Sequence, residues 1–219
     1  MNITGYSITK LMPAKNMSRS NIVKRRDILS GDFEKTYMEN FDRLFEESFE
    51  RKSYSGSYMI KEIAAYRFRR FLEYERKREF ESVFYAEKKV DAEIKSQNNV
   101  YKLTAYIDRV DKLSGNSYAI IDYKTGNISA PVSVKNFEVK SFQLIMYKYI
   151  VETAQNLNIA GAMLLSVKNS SAVHLPHDAY DKCLDALREV LDKINSSGDF
   201  ECARDKTKCE KCGYFYICR

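Results

Sequence analysis

The chain reads as an α/β (α+β) protein: a mixed β-sheet containing an antiparallel meander, flanked by helices. Three observations predict this class. Apolar residues recur at helical spacing as far as Lys77. The period then drops to two through three successive segments, and after Thr125 helical and extended patterns alternate.

Residues 1–30, with Pro13, a Ser/Asn-rich patch and Lys24-Arg25-Arg26, read as an irregular lead-in. Asp32 can cap a helix to about Arg51, with Phe33, Tyr37, Phe41, Leu44, Phe45 and Phe49 at helical spacing. The Ser/Gly/Tyr stretch Ser53–Ser57 predicts a turn. A second helix over Met59–Lys77 carries Ile63, Tyr66, Phe68, Phe71, Leu72 and Tyr74. Its arginines, Arg67, Arg69, Arg70, Arg76 and Arg78, read as a solvated surface or as a phosphate-contacting face.

Val83–Ile94, Val100–Lys112 and Tyr118–Thr125 then read as strands joined by polar turns, Ser96–Asn99 and Ser114–Asn116. A helix over Ser141–Ala154, a strand over Ile159–Val167 and an amphipathic helix over Asp178–Ile194 complete the expected order. Residues 31–198 therefore form the expected main domain, and 199–219 a Cys-rich C-terminal staple.

Composition sets outer limits on function. Charged residues make up 30% and hydrophobic ones 44%, the balance of a globular protein with a sizeable core. No apolar run approaches the roughly 18 residues a membrane span requires. The N-terminus lacks the layout of a secretory signal, so the expected location is the cytoplasm, without a membrane partner. Thirty-six basic against 30 acidic residues leave a net charge of +6, compatible with a polyanion but not evidence for one. The 16 Tyr and 12 Phe are read mainly as core. No phosphate-cradling GxxxxGK[ST] loop occurs, so the chain carries no nucleotide-driven motor of its own.

The chemistry concentrates in Leu103–Asp111 and Ile120–Gly126. Asp108 lies between Ile107 and Val110 in an apolar strand, where an unpaired carboxylate is costly to bury. Arg109 and Asp111 beside it offer an ion-pair ladder as the structural alternative. Asp122 follows Ala119-Ile120-Ile121, and Lys124 stands two residues on, so the two share a strand face. Two carboxylates and an ammonium on neighbouring strands suit metal-assisted phosphodiester cleavage. An Asp122–Lys124 salt bridge is the structural alternative.

These residues resemble a known family. Ile107-Asp108 followed by Asp122-Tyr123-Lys124 is similar to the PD-(D/E)XK nuclease motif, with Ile where the motif has proline. More narrowly, Asp108-Arg-Val-Asp111 and Ile121-Asp-Tyr-Lys-Thr-Gly126 resemble the RecB-type nuclease domains of AddB-like recombination proteins and CRISPR-associated exonucleases. The resemblance implies a restriction-endonuclease-like core and a Mg²⁺- or Mn²⁺-dependent deoxyribonuclease, an exonuclease of DNA repair or recombination. It also implies association with a helicase or another recombination protein. Asp108, Asp122 and the Tyr123 carbonyl would bind the metal, and Lys124 would be catalytic. Gln143-Leu-Ile-Met-Tyr147 matches the family's QxxxY element, and i, i+4 spacing puts Gln143 and Tyr147 on one helix face. Glu87 matches the family's additional acid, with Glu93 and Glu81 as competitors by position.

The run Cys209-x2-Cys212-x5-Cys218 resembles the terminal trio of [4Fe-4S] ligands in the same nucleases; the family's fourth ligand usually precedes the core, where this chain has no cysteine, so Cys202 is the substitute, with Zn²⁺ and an unmetallated tail as the alternatives. Cys183, in an amphipathic helix, reads as a buried apolar residue. The family's histidine before the core has no counterpart, since His174 and His177 both follow it and read as loop residues. That vacancy points to a piece of a longer protein or to a diverged enzyme. It also keeps open a catalytically silent DNA-binding or scaffold domain associated with a helicase.

Overall fold

The computed structural model describes residues 23–48, 55–97, 99–133, 138–139, 141–196 and 210. Cys202, Cys209, Cys212 and Cys218 lie outside the described residues, and with them the expected cluster or zinc staple.

Strand β1 (Val23–Lys24) runs into a single helical turn, α1 (Arg25–Ile28), and then α2 (Gly31–Ser48) and α3 (Ser55–Lys77). The lead-in expected to be irregular through residue 30 is thus regular from Val23 onward. Ser30, not Asp32, caps α2: its Oγ accepts the Phe33 N–H at 3.2 Å. The turn expected at Ser53–Ser57 is helical from Ser55. Arg25 closes the other end of α3, donating to the carbonyls of Arg78 at 2.8 Å and Arg76 at 2.7 Å. This satisfies acceptors that a helix C-terminus leaves open.

The long hairpin β2 (Ser82–Ser96) and β3 (Asn99–Lys112) follows, then β4 (Ser117–Lys124) and the short pair β5 (Val132–Ser133) and β6 (Glu138–Val139). Helix α4 (Gln143–Gln155) crosses to β7 (Asn158–Ser166), followed by β8 (Ala172–His174) and α5 (Tyr180–Ser196). The main sheet has the order β1-β2-β3-β4-β7-β8. β4 and β7 are parallel, as a helical crossover demands, and every other neighbour in the sheet is antiparallel. The expected three-strand meander is present at β2-β3-β4. β8 and the β5–β6 pair, each only two or three residues long, carried too little pattern to be read from sequence.

Helices cover both faces of the sheet. Ile28, Phe33, Tyr37, Phe68, Phe71 and Leu72 pack with Ile121, Met163 and Leu165 on one face. Leu144, Ile145, Ile150, Cys183 and Leu187 pack with Ile107, Val110 and Ile120 on the other. Cys183 is fully buried, as expected of an apolar cysteine. No helix among the described residues is long and apolar enough to cross a membrane.

Besides the register shifts between Val83 and Tyr85 and between Tyr118 and Ala119, the alternation of side chains slips midway along the β2–β3 hairpin. On β3, Ile107 and Val110 both join the core beneath α4, although residues three apart normally face opposite ways. Across the hairpin, Glu87 has a φ of 49°, a left-handed conformation that is costly for a residue with a Cβ. Ala86 pairs with Arg109 and Lys88 with Ile107, so Glu87 stands opposite Asp108. Both strands change face together at this step.

Candidate active site

The slip places Asp108 at a fork. Ladder pairing between β3 and β4 ends with Arg109 opposite Ile121. Beyond it the Tyr123 N–H donates to the Asp108 carboxylate, Oδ2, at 2.8 Å. A side chain has thus taken over one backbone bond, and the carboxyl sits between the diverging strands.

Asp122 and Lys124 continue the face begun by Ile120, towards α4. Gln143, the first residue of α4, meets them there. Its Nε2 donates to Asp122 Oδ1 and to the Tyr147 hydroxyl, both at 2.9 Å, and its Oε1 accepts from Lys124 Nζ at 2.7 Å. The helical spacing of Gln143 and Tyr147 therefore does what the sequence suggested: both reach the same cluster. Lys124 Nζ also lies 2.6 Å from Asp122 Oδ2, so the salt bridge anticipated as an alternative is present. Asp122 Oδ2 is itself buried, with that ammonium beside it. Ser166, fully buried on β7, donates to the Gly126 carbonyl at 2.7 Å, and the Val167 N–H donates to the Lys124 carbonyl at 2.9 Å. These bonds hold the chain just after Lys124.

Burial shapes the electrostatics. It pushes the Asp108 carboxyl up to about 6; the charges of Asp122 and Glu87 push the same way, against the Tyr123 N–H and Lys124. Burial also raises Asp122, opposed by Lys124. A buried carboxylate and a partly buried one beside a third acid form a pocket of negative charge that one ammonium does not neutralise. Glu87 adds its charge to Asp108 from across the hairpin, yet its side chain is exposed. Among the described residues no group of three or more His, Cys, Asp or Glu side chains is gathered as a metal site. The expected set of Glu87, Asp108 and Asp122 is therefore adjacent but not convergent. Among its competitors, Glu93 is also exposed, and Glu81 is engaged by Lys112 at 3.0 Å. His174 and His177 are exposed, on β8 and at the start of a 3₁₀ turn.

The opposite face of the same strands holds a second charge system. Arg109 is fully buried and donates through Nε to Asp111 Oδ1 at 2.6 Å and through Nη2 to Glu75 Oε2 at 3.0 Å. Arg78 joins Glu75 at 2.8 Å and Asp111 at 2.7 Å. The ion-pair ladder foreseen for Arg109 and Asp111 is thus real, but it coexists with the Asp108 cluster instead of replacing it. Arg78 leaves the expected surface arginine cluster: its side chain is only 12% exposed. Glu75 was missed, although Phe68, Phe71, Leu72 and Glu75 at i, i+3, i+4, i+7 put it on the apolar stripe of α3.

A mixed sheet covered by helices on both faces, with two acids and a lysine gathered where two strands part, defines a restriction-endonuclease-like core. A family model for the PD-(D/E)XK nuclease superfamily matches residues 24–219, and the chain belongs to that superfamily. No curated protein sequence matches it. Among solved structures it is similar to one titled "Crystal structure of SSO0001", at 16% identity and a TM-score of 0.37. That match spans 61% of this chain and 59% of the other.

Proposed function

We propose that the protein is a divalent-metal-dependent deoxyribonuclease, with Asp108, Asp122, Lys124, Gln143 and Tyr147 as its catalytic group. The observation that carries this reading is the junction of Asp122, Lys124 and Gln143 beside Asp108, in bonds of 2.6 to 2.9 Å. The residues fit a hard cation: Asp122 Oδ2 is buried with the Lys124 ammonium 2.6 Å away, and the Asp108 carboxyl is raised by burial and, secondarily, by the charges of Asp122 and Glu87. Asp108, Asp122 and the Tyr123 carbonyl would hold the ion, with Glu87 adjacent. A bound Mg²⁺ or Mn²⁺ supplies Lewis acidity towards phosphate and lowers the pKa of water.

The chain's own residues do the rest. Lys124 presents its ammonium to the negative charge that grows on the phosphate during displacement. Gln143 fixes the direction of that ammonium through Oε1, and its Nε2 keeps Asp122 aligned. Tyr147 anchors Gln143 from the next turn of α4. Burial raises the Tyr147 phenol, so its hydroxyl stays protonated and available to hydrogen-bond a phosphate oxygen. The resemblance of these motifs to RecB-type nuclease domains leads us to extend the proposal to exonucleolytic action on DNA in repair or recombination, beside a helicase.

The test is incubation of the protein with linear and circular, single- and double-stranded DNA, with and without Mn²⁺. Wild type should cut linear DNA only with the metal, and Asp122→Asn and Lys124→Ala should abolish cutting while retaining native circular dichroism. Cleavage that survives both substitutions refutes the assignment. DNA binding without cleavage by the wild type would make the domain a silent DNA-binding module.

A further inference from the structure

At the fork, the front and back of the sheet carry separate charge systems, and Tyr123 belongs to both. Its N–H donates to Asp108 Oδ2 at 2.8 Å on the front. Its hydroxyl accepts from Arg109 Nη1 at 3.0 Å on the back, where its ring meets the edge of Phe71 with centroids 6.0 Å apart. Arg109 adjoins Asp108 in the chain, and Tyr123 adjoins Asp122. The Arg109–Tyr123 bond therefore ties β3 to β4 just past the last ladder pair, where backbone bonding has stopped.

Arg109 is suited to be the fixed end of such a tie. Asp111 takes its Nε and Nη2, and Glu75 takes Nη2 as well, so three of its five N–H groups are committed and one of the two on Nη1 goes to Tyr123. Glu75 and Asp111 are themselves held by Arg78. Two cations and two anions, nearly all sealed from water, form a neutral block that anchors β3 to α3. A guanidinium with its fork geometry occupied on two sides has little freedom to follow a moving strand.

We propose that Arg109 and Tyr123 are positioning residues: their bond behind the sheet sets how far β3 and β4 splay, and so the spacing of the Asp108 and Asp122 carboxylates that receive the divalent ion. The proposal rests on the metal-assisted reading of the front face. Outer partners of metal ligands set ligand geometry in this way, and their loss commonly costs about tenfold to a hundredfold in metal affinity.

Arg109→Ala would leave buried carboxylates unpaired and endanger the fold, so the decisive variant is Tyr123→Phe, which removes one hydroxyl and keeps the ring. Two measurements on the full chain are needed. Hydrogen exchange should show the residue-123 amide losing about tenfold or more of its protection, with the Val110 and Ile120 amides unchanged. The Mn²⁺ concentration for half-maximal DNA cleavage should rise by about tenfold. A merely structural hydroxyl would lower the melting temperature and leave the metal midpoint in place, which would overturn the proposal. Unchanged exchange at residue 123 would overturn it equally. If the wild type neither binds Mn²⁺ nor cuts DNA, the hydrolytic reading itself falls, and the exchange comparison alone still decides whether the hydroxyl braces the fork.

Discussion

Replacing Asp108 with Asn should make the metal-free protein more stable while destroying its cleavage activity. The sign follows from the raised carboxyl. In the folded chain it is pushed from 3.8 up to about 6, so the native state binds this proton more tightly than the unfolded chain does. The stabilisation this gives is complete below the ordinary carboxylate range and is lost as pH rises through about 6. At neutral pH the folded protein must carry an ionised group that its surroundings disfavour. A shift of that size corresponds to about 3 kcal/mol at full burial, but Asp108 keeps some solvent exposure, and screening reduces the figure to about 1–2 kcal/mol. Asn retains the oxygen that accepts the Tyr123 N–H and removes the charge. For a chain of this size the gain should raise the melting temperature by about 2–8 °C. The assay is thermal denaturation in chelator near neutral pH and again near pH 4, where the two proteins should converge. Added Mn²⁺ should then raise the melting temperature of wild type and leave the variant unmoved. A variant that melts at or below wild type near neutral pH in chelator would refute the argument.

Three further outcomes follow from the same geometry. Gln143→Leu strips Asp122 Oδ1 of its donor and Lys124 of its guide; it should cost about 1–3 kcal/mol in urea denaturation and lower single-turnover cleavage by about a hundredfold, and a wild-type rate would refute it. Arg109→Ala leaves Glu75 and Asp111 buried with only Arg78 as partner and should destabilise by about 3–5 kcal/mol; a loss below about 1 kcal/mol would mean the block contributes little. Mn²⁺ affinity should weaken as pH falls through about 6, because a proton and the cation compete for Asp108; a calorimetric affinity that stays flat across that range would contradict the ligand assignment.

The sequence carried much of this architecture because strong local patterns wrote it. Val83–Lys124 alternates well enough to show three strands, and Asp122, Lys124, Gln143 and Tyr147 sit at spacings that strand and helix geometry turn into shared faces. What escaped reading depends on departures from regularity. The change of face between Ile107 and Val110 cannot be seen in a period-2 pattern, yet it is what sends Asp108 to the fork and Arg109 to the opposite core. Arg78 reads as an ordinary surface charge, and the place of Glu75 on the apolar stripe of α3 shows that it is buried but not with what, since the partners of both lie on β3, distant in sequence. Ser166 gave no signal, because its role is a contact with the Gly126 carbonyl across a parallel strand pair.

The two charge systems back to back have an evolutionary corollary. The block of Glu75, Arg78, Arg109 and Asp111 satisfies itself, whereas the cluster in front keeps its like charges together at the expense of the fold. A single neutralising substitution in front would yield a sturdier but inert descendant with the same scaffold. Folding energetics do not guard Asp108; only selection for the reaction could keep that acid in place.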